Sequence, residues 1–148
     1  MRKRRIFLCL AVLWTLVIWG HSLQTADNSA AASSQVQGLL TPLLNWLTVP
    51  QETQHALVRK LGHWTEFAVL GALWTPALLP GDVSRRQRLV SVLGVCLVTA
   101  FADETIQLFV PGRAGMIVDL WIDGAGSAAG IAFSECMLLL GKKKIVRS

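Results

Sequence analysis

Acidic side chains interrupt apolar segments of this sequence, where ionised groups are costly. The stretch FADETIQLFVPGR, from Phe101 to Arg113, ends an apolar run and still contains Asp103, Glu104 and Gln107. At the centre of a membrane-spanning helix, an ionised side chain costs about 2.5 kcal/mol or more, so such residues generally have partners or a function. The acidic residues within or beside apolar segments, joined by His63, are Glu66, Asp103, Glu104, Asp119, Asp123 and Glu135.

The spacing of these polar residues turns them toward common helix faces. His63 and Glu66 are three residues apart, and Asp103 and Gln107 are four apart, as are Asp119 and Asp123. Residues with this spacing are neighbours on a helix surface. Glu104 is rotated by about 100° from Asp103, so we expect it to flank the cluster or face another helix.

A histidine and several crowded carboxyl groups are suited to general acid–base chemistry, because a base and a protonated acid can be held side by side. Arg113 follows a Pro-Gly pair, and Lys60 precedes His63, so both are candidates for binding an anionic group of the substrate. A purely structural ion-pair network is the alternative, because buried charges need partners in any case. The predicted catalytic residues are His63, Glu66, Asp103, Glu104, Gln107, Asp119 and Asp123.

The composition indicates an integral membrane protein. Of the 148 residues 53% are hydrophobic and 16% are charged, against about 25% charged in an ordinary soluble domain. The net charge of +5 comes from basic clusters beside apolar segments, which is typical of a topology signal. No basic stretch alternates with aromatic residues as a nucleic-acid footprint would, so we expect no nucleic-acid partner.

Four apolar segments predict an all-α fold, a four-helix transmembrane bundle. They run from Ile6 to about Leu23, Leu61 to Leu79, Leu89 to Val110 and Ile117 to Leu140, and a span needs about 17–25 residues. The purest part of the first segment is shorter than that, so a cleaved signal peptide is an alternative to a retained anchor. We favour the anchor.

Most of the 14 lysine and arginine residues fall on one side of such a bundle. The clusters at the two chain ends and between the second and third segments would all be cytoplasmic. The predicted location is therefore a cytoplasmic membrane, with several spans and both termini inside.

The segment 24–54 would then lie outside. It begins as an Ala/Ser-rich linker and continues with apolar residues on one helical face, from Val36 to Leu47. We expect a short helix in the outer interface, or one that covers the end of the bundle. The chain thus divides into an anchor (1–23), this extracytoplasmic linker with its amphipathic helix (24–54), a three-helix core (55–141) and a basic cytoplasmic tail (142–148).

The rise of a helix places the acids at one height. Glu66, Asp103 and Asp123 lie about 20, 21 and 25 Å from the cytoplasmic ends of their segments, at about 1.5 Å per residue. Three helices therefore bring acids to one layer in the outer third of the membrane. A proton or ion pathway would instead spread its acids through the membrane, so it ranks last among the functions considered.

Three motifs in this order resemble the VanZ-like family over roughly residues 60 to 130. They are KxxHWxEFxxLG from Lys60, DExxQxFxPGR from Asp103 and DxxxDxxG from Asp119. The resemblance implies a small bacterial membrane protein, in a family whose founding member is associated with resistance to the glycopeptide teicoplanin. It also implies either a membrane-embedded enzyme acting on a lipid or lipid-linked substrate, or a non-catalytic protein that binds a lipid or glycopeptide acyl chain. No metal-specific spacing such as HExxH occurs, so no metal or other cofactor is assigned from the sequence.

Overall fold

Five helices make up the described part of the chain, in a computed structural model that describes residues 2–78 and 84–146, with side chains through residue 141. They are α1 (Arg2–Ser22), α2 (Ala26–Trp46), α3 (Gln51–Ala77), α4 (Arg85–Leu108) and α5 (Ile117–Val146). No strand occurs within these ranges, so the prediction of an all-α fold is confirmed.

Three of these helices are long and apolar enough to cross a membrane, not the four expected. They are α1, α4 and the part of α5 from Ile117 to Gly141. The 27-residue helix α3 is long enough, but Lys60, His63 and Glu66 interrupt its apolar sequence. It packs against all four other helices, and these neighbours offer its polar groups partners within the protein.

Helices α2 and α3 both extend beyond the segments that hydrophobicity predicted. Helix α2 has 21 residues and begins at Ala26, so the Ala/Ser-rich stretch expected to be a linker is helical. This agrees with the high helix propensity of alanine. Helix α3 begins at Gln51, directly after Pro50, and therefore starts inside the predicted linker 24–54.

Glycines bring α3 and α5 into close contact. Gly126 and Gly130 are one helical turn apart on α5 and lie against the backbone carbonyl groups of Trp64 and Ala68. A Cβ atom at either glycine would overlap the facing oxygen. Small residues at this spacing allow helices in membranes to approach closely, and the side of α5 that carries these glycines is therefore the seam against α3.

The core lies where α1, α3, α4 and α5 meet. Its buried members are Ile18, Phe67, Leu70, Val92, Cys96, Ala100 and Ile131. Two indole N–H groups of α1 fix that helix to the others: Trp14 donates to the carbonyl of Glu66 at 2.9 Å, and Trp19 donates to the carbonyl of Thr99 at 3.3 Å. The outward faces of the bundle are apolar and exposed, including Leu13, Val98 and Trp121, as expected for a surface that faces lipid.

At the end of the bundle where α4 begins, Glu135 of α5 accepts hydrogen bonds from Arg85, at 2.8 Å, and from Arg88. In the sequence, Glu135 lies near the basic tail that begins at Lys142, whose side chain lies outside the described residues. The arginines of α4 are its partners instead. The stretch PGDVSRRQ is expected to join the second and third apolar segments, and its first half, residues 80–83, lies outside the described residues. Helix α4 itself begins with a capping box made by Ser84 and Gln87.

Candidate functional site

Four ionisable side chains from three helices meet inside the bundle. His63 of α3, Asp103 and Glu104 of α4, and Asp123 of α5 each place one nitrogen or oxygen atom so that all four atoms lie within 4.8 Å of one another. We call these residues the four-residue cluster. Asp123 is one helical turn from Gly126, so the close contact between α3 and α5 brings its carboxylate toward His63.

Asp123 is the most deeply buried acid of the cluster, with 0% of its surface exposed. Its Oδ1 atom lies 3.5 Å from Nδ1 of His63, which is a loose ionic contact. Within the described residues, neither oxygen of Asp123 has a hydrogen-bond partner. A buried carboxylate in this condition is unusual, because buried polar groups are nearly always paired.

Asp103 is held by two neutral donors. The hydroxyl group of Ser22, the last residue of α1, donates to Oδ1, and the amide of Gln107 donates to Oδ2 at 3.0 Å. Gln107 lies one turn further along α4 and is also buried. Ser22 and Gln107 therefore orient the Asp103 carboxylate without neutralising its charge.

Glu104 also points into the cluster, which the sequence left open. The backbone N–H of Met116 donates to its Oε2 atom at 2.6 Å, whereas Oε1 has no partner among the described residues. The chain reaches Met116 through the turn after Pro111, where Gly112 has a φ of 75°. This left-handed conformation favours glycine, so the Pro-Gly pair shapes the loop that fixes Glu104.

Asp119 has its own partners and does not join the cluster. Its Oδ1 atom accepts a hydrogen bond from Nζ of Lys60 at 3.0 Å, and its Oδ2 atom lies 3.8 Å from the guanidinium group of Arg59. Asp119 and Asp123 were expected to point into one site because they are four residues apart. The structure gives them different neighbours, and Lys60 forms an ion pair with Asp119.

Glu66 lies beside the cluster and pairs with a histidine that the sequence reasoning missed. Its Oε1 atom lies 2.7 Å from Nδ1 of His21. His21 lies in the last turn of α1, just before Ser22. Its position at the polar end of an apolar helix is the feature of the sequence that could have identified it. Both side chains are partly exposed, at 53% for His21 and 26% for Glu66.

A polar cleft of about 320 Å³ opens next to these groups. Its polar lining includes His21, Arg59, His63, Glu66 and Arg113, while Val36 and Val58 supply apolar wall. Within the described residues, no ion-pair partner is found for Arg113. The cleft therefore offers a guanidinium group for an anion, with His63 at the boundary between the cleft and the four-residue cluster.

Comparison with known proteins identifies one family. A VanZ/LLP1 family model matches residues 7–139, nearly the whole chain, so the resemblance seen in three motifs is confirmed and extends to α1 and α2. No curated protein and no solved structure matches the chain.

Proposed function

This chain belongs to the VanZ/LLP1 family, and we propose that it is a membrane-embedded enzyme that acts on a lipid or lipid-linked substrate of the cell envelope. The observation that supports this most is the cleft. It is lined by ionisable side chains that can exchange protons, and it lies next to a buried cluster of ionisable groups. A bundle that needed only stability would gain little from such a cluster, because well-packed apolar residues commonly stabilise as well as buried ions.

The proposed chemistry takes place in the cleft. Arg113 binds an anionic group of the substrate, since a guanidinium group can form two parallel hydrogen bonds to a phosphate or carboxylate. Glu66 accepts a proton, and His21 fixes the orientation of its carboxylate at 2.7 Å. His63 lies between this cleft and the three carboxyl groups of Asp103, Glu104 and Asp123. The negative charge of these carboxylates influences the group that reacts in the cleft.

Two of the predicted residues have supporting roles in this proposal. Gln107 positions Asp103 through its 3.0 Å hydrogen bond. Asp119 binds Lys60 and so holds α5 against α3 at the outer end of the cleft, which makes Lys60 a positioning residue rather than a direct substrate ligand.

The proposed membrane arrangement keeps four crossings. Helices α1, α4 and α5 cross as apolar spans, and α3 crosses among them with its polar residues turned inward. Both termini are cytoplasmic in a bacterial inner membrane, and the chain divides into an anchor, an extracytoplasmic segment, a core that begins with α3 at Gln51, and a basic tail. In this arrangement α2 lies in the outer interface with the cleft beside it.

A second candidate function is non-catalytic binding of a lipid or a glycopeptide acyl chain at the outer interface. The observation that favours it is the apolar side of α2, where Leu39 is 82% exposed and Trp46 is 77% exposed. Such a surface is suited to contact with acyl chains. The proposed link to teicoplanin resistance is compatible with either function, since both act on material in the outer leaflet.

Lipid profiling of cells with and without the chain separates the two functions. An enzyme changes the amount of at least one envelope lipid or lipid-linked species, and Glu66→Gln or Asp103→Asn abolishes that change at equal membrane levels of protein. Glu135→Gln is the matched control, because Glu135 is also buried in a span but lies away from the cleft. A lipid profile that the chain leaves unaltered, together with teicoplanin susceptibility that depends on Trp46 and not on Glu66, would contradict catalysis and favour the binder.

A further inference from the structure

We infer that the four-residue cluster is a binding site for one divalent transition-metal ion, of the class to which Zn²⁺ and Mn²⁺ belong. The cluster brings together one imidazole and three carboxylates from α3, α4 and α5, with their candidate ligand atoms within 4.8 Å of one another. Residues that are distant in sequence converge there, and no motif of metal-ligand spacing marks the site in the sequence.

Four buried polar atoms of the cluster have no hydrogen-bond partner among the described residues. Both carboxylate oxygens of Asp123, Oε1 of Glu104 and Nδ1 of His63 are buried without a hydrogen bond. Asp123 is 0% exposed and Glu104 is 8% exposed, so bulk water does not solvate these atoms. Buried acceptors that face one another and have no donor are what a cation site requires.

The like charges of the three carboxylates also favour a bound cation. Asp103, Glu104 and Asp123 are crowded around a single histidine, and within the described residues no lysine or arginine forms an ion pair with any of them. The nearby Lys60 and Arg59 belong to Asp119. A divalent cation would offset the like charges that the fold brings together, and metal coordination is one of the ordinary ways in which proteins hold buried charges.

Neighbouring groups already orient the ligands. Ser22 and Gln107 hydrogen-bond to Asp103, and the Met116 amide hydrogen-bonds to Glu104. Outer-shell contacts of this kind fix ligand orientation in metal sites. One nitrogen and several oxygen ligands suit zinc or manganese better than copper(I), which prefers thiolate and thioether ligands, or calcium, which prefers oxygen alone.

The metal site does not depend on the proposed enzymatic activity. Glu66 and His21 lie outside the cluster and remain available for proton transfer when the metal is bound. If the protein binds metal but catalyses nothing, the metal site is correct and the proposed enzymatic activity is wrong. If it is an enzyme that binds no metal, the activity is correct and the metal site is wrong.

The test is the metal content of the purified full-length chain, produced without a histidine tag, treated with chelator in detergent and re-equilibrated with Zn²⁺ or Mn²⁺. We expect about one tightly bound ion per chain by mass spectrometry of the elements, and a higher thermal unfolding temperature with the metal than without. In Asp123→Asn and in Glu104→Gln, we expect the affinity for the metal to fall at least about tenfold. This is the smallest loss typical when only an outer-shell contact of a metal site is removed. Glu135→Gln retains the wild-type affinity.

Two results would overturn the inference. One is a folded wild-type chain that binds neither ion and shows no thermal shift. The other is binding that Asp123→Asn and Glu104→Gln leave unchanged, which would assign the ion to another place. If either variant fails to fold, the wild-type stoichiometry and the remaining variant decide the question.

Discussion

The close contact between α3 and α5 predicts that Gly130→Ala destabilises the protein even though alanine is the better helix former. A Cβ atom at residue 130 would overlap the carbonyl oxygen of Ala68. That oxygen belongs to the backbone and cannot rotate away, so the two helices must separate. Overpacking costs about 1–3 kcal/mol, and a close backbone overlap belongs at the upper end of this range.

The opposing term is the helix propensity gained, about 0.5–1 kcal/mol for glycine to alanine. The expected net loss is therefore about 2 kcal/mol, or roughly a thirtyfold change in the ratio of folded to unfolded protein. Because Gly130 and Gly126 set the distance between α3 and α5, the same change should also move Asp123 away from His63. Metal binding should weaken together with stability.

The assay is reversible unfolding in mixed micelles, followed by tryptophan fluorescence. Gly94→Ala is the matched control, since a Cβ atom at residue 94 of α4 meets no atom within 4 Å. We expect this control to be neutral or stabilised by up to about 1 kcal/mol. A Gly130→Ala protein as stable as the Gly94→Ala protein would refute the close-contact reasoning.

Three further predictions concern the surroundings of the site. Lys60→Met should lower the free energy of unfolding by about 1–3 kcal/mol, because it leaves the buried Asp119 with only the more distant Arg59; an equal loss in an Asp119→Asn background would show that the pair is not the cause. Arg113→Ala should abolish the lipid change that the chain produces while leaving the free energy of unfolding within about 0.5 kcal/mol of the wild-type value, and a large fall in stability would instead give Arg113 a structural role. A single cysteine at Ser33, in a chain without the native cysteines, should react with a membrane-impermeant maleimide added outside intact spheroplasts, and labelling only after lysis would contradict the proposed topology.

Helical spacing predicted that polar residues of separate helices would face one another, but not which of them are paired. Glu66, Asp103 and Asp123 were placed in one layer from helical rise alone, and the structure brings Asp103 and Asp123 together with His63, whereas Glu66 lies beside them and pairs with His21. Asp119 shares a helix face with Asp123 but binds Lys60. The difference arises because spacing gives only the direction of a side chain, whereas its neighbours depend on the register of one helix against another.

The extent of the helices was harder to predict than the site. Hydrophobicity marks where a chain can contact lipid, and both α2 and the first turns of α3 contain polar or small residues that form helix without being apolar. Ala26 to Ser34 is helical, although its composition also fits a linker. Glu104 joined the cluster because of the turn at Gly112, which no periodicity argument includes.

Side chains from separate helices form one interacting site, and a double-mutant cycle between His63 and Asp123 measures that interaction. His63→Gln, Asp123→Asn and the double variant are compared by unfolding in the presence of chelator. For two groups 3.5 Å apart in a buried site, we predict that the two effects differ from additivity by about 0.5–3 kcal/mol. Additivity within about 0.3 kcal/mol would mean that the two side chains do not interact, and it would contradict a shared site.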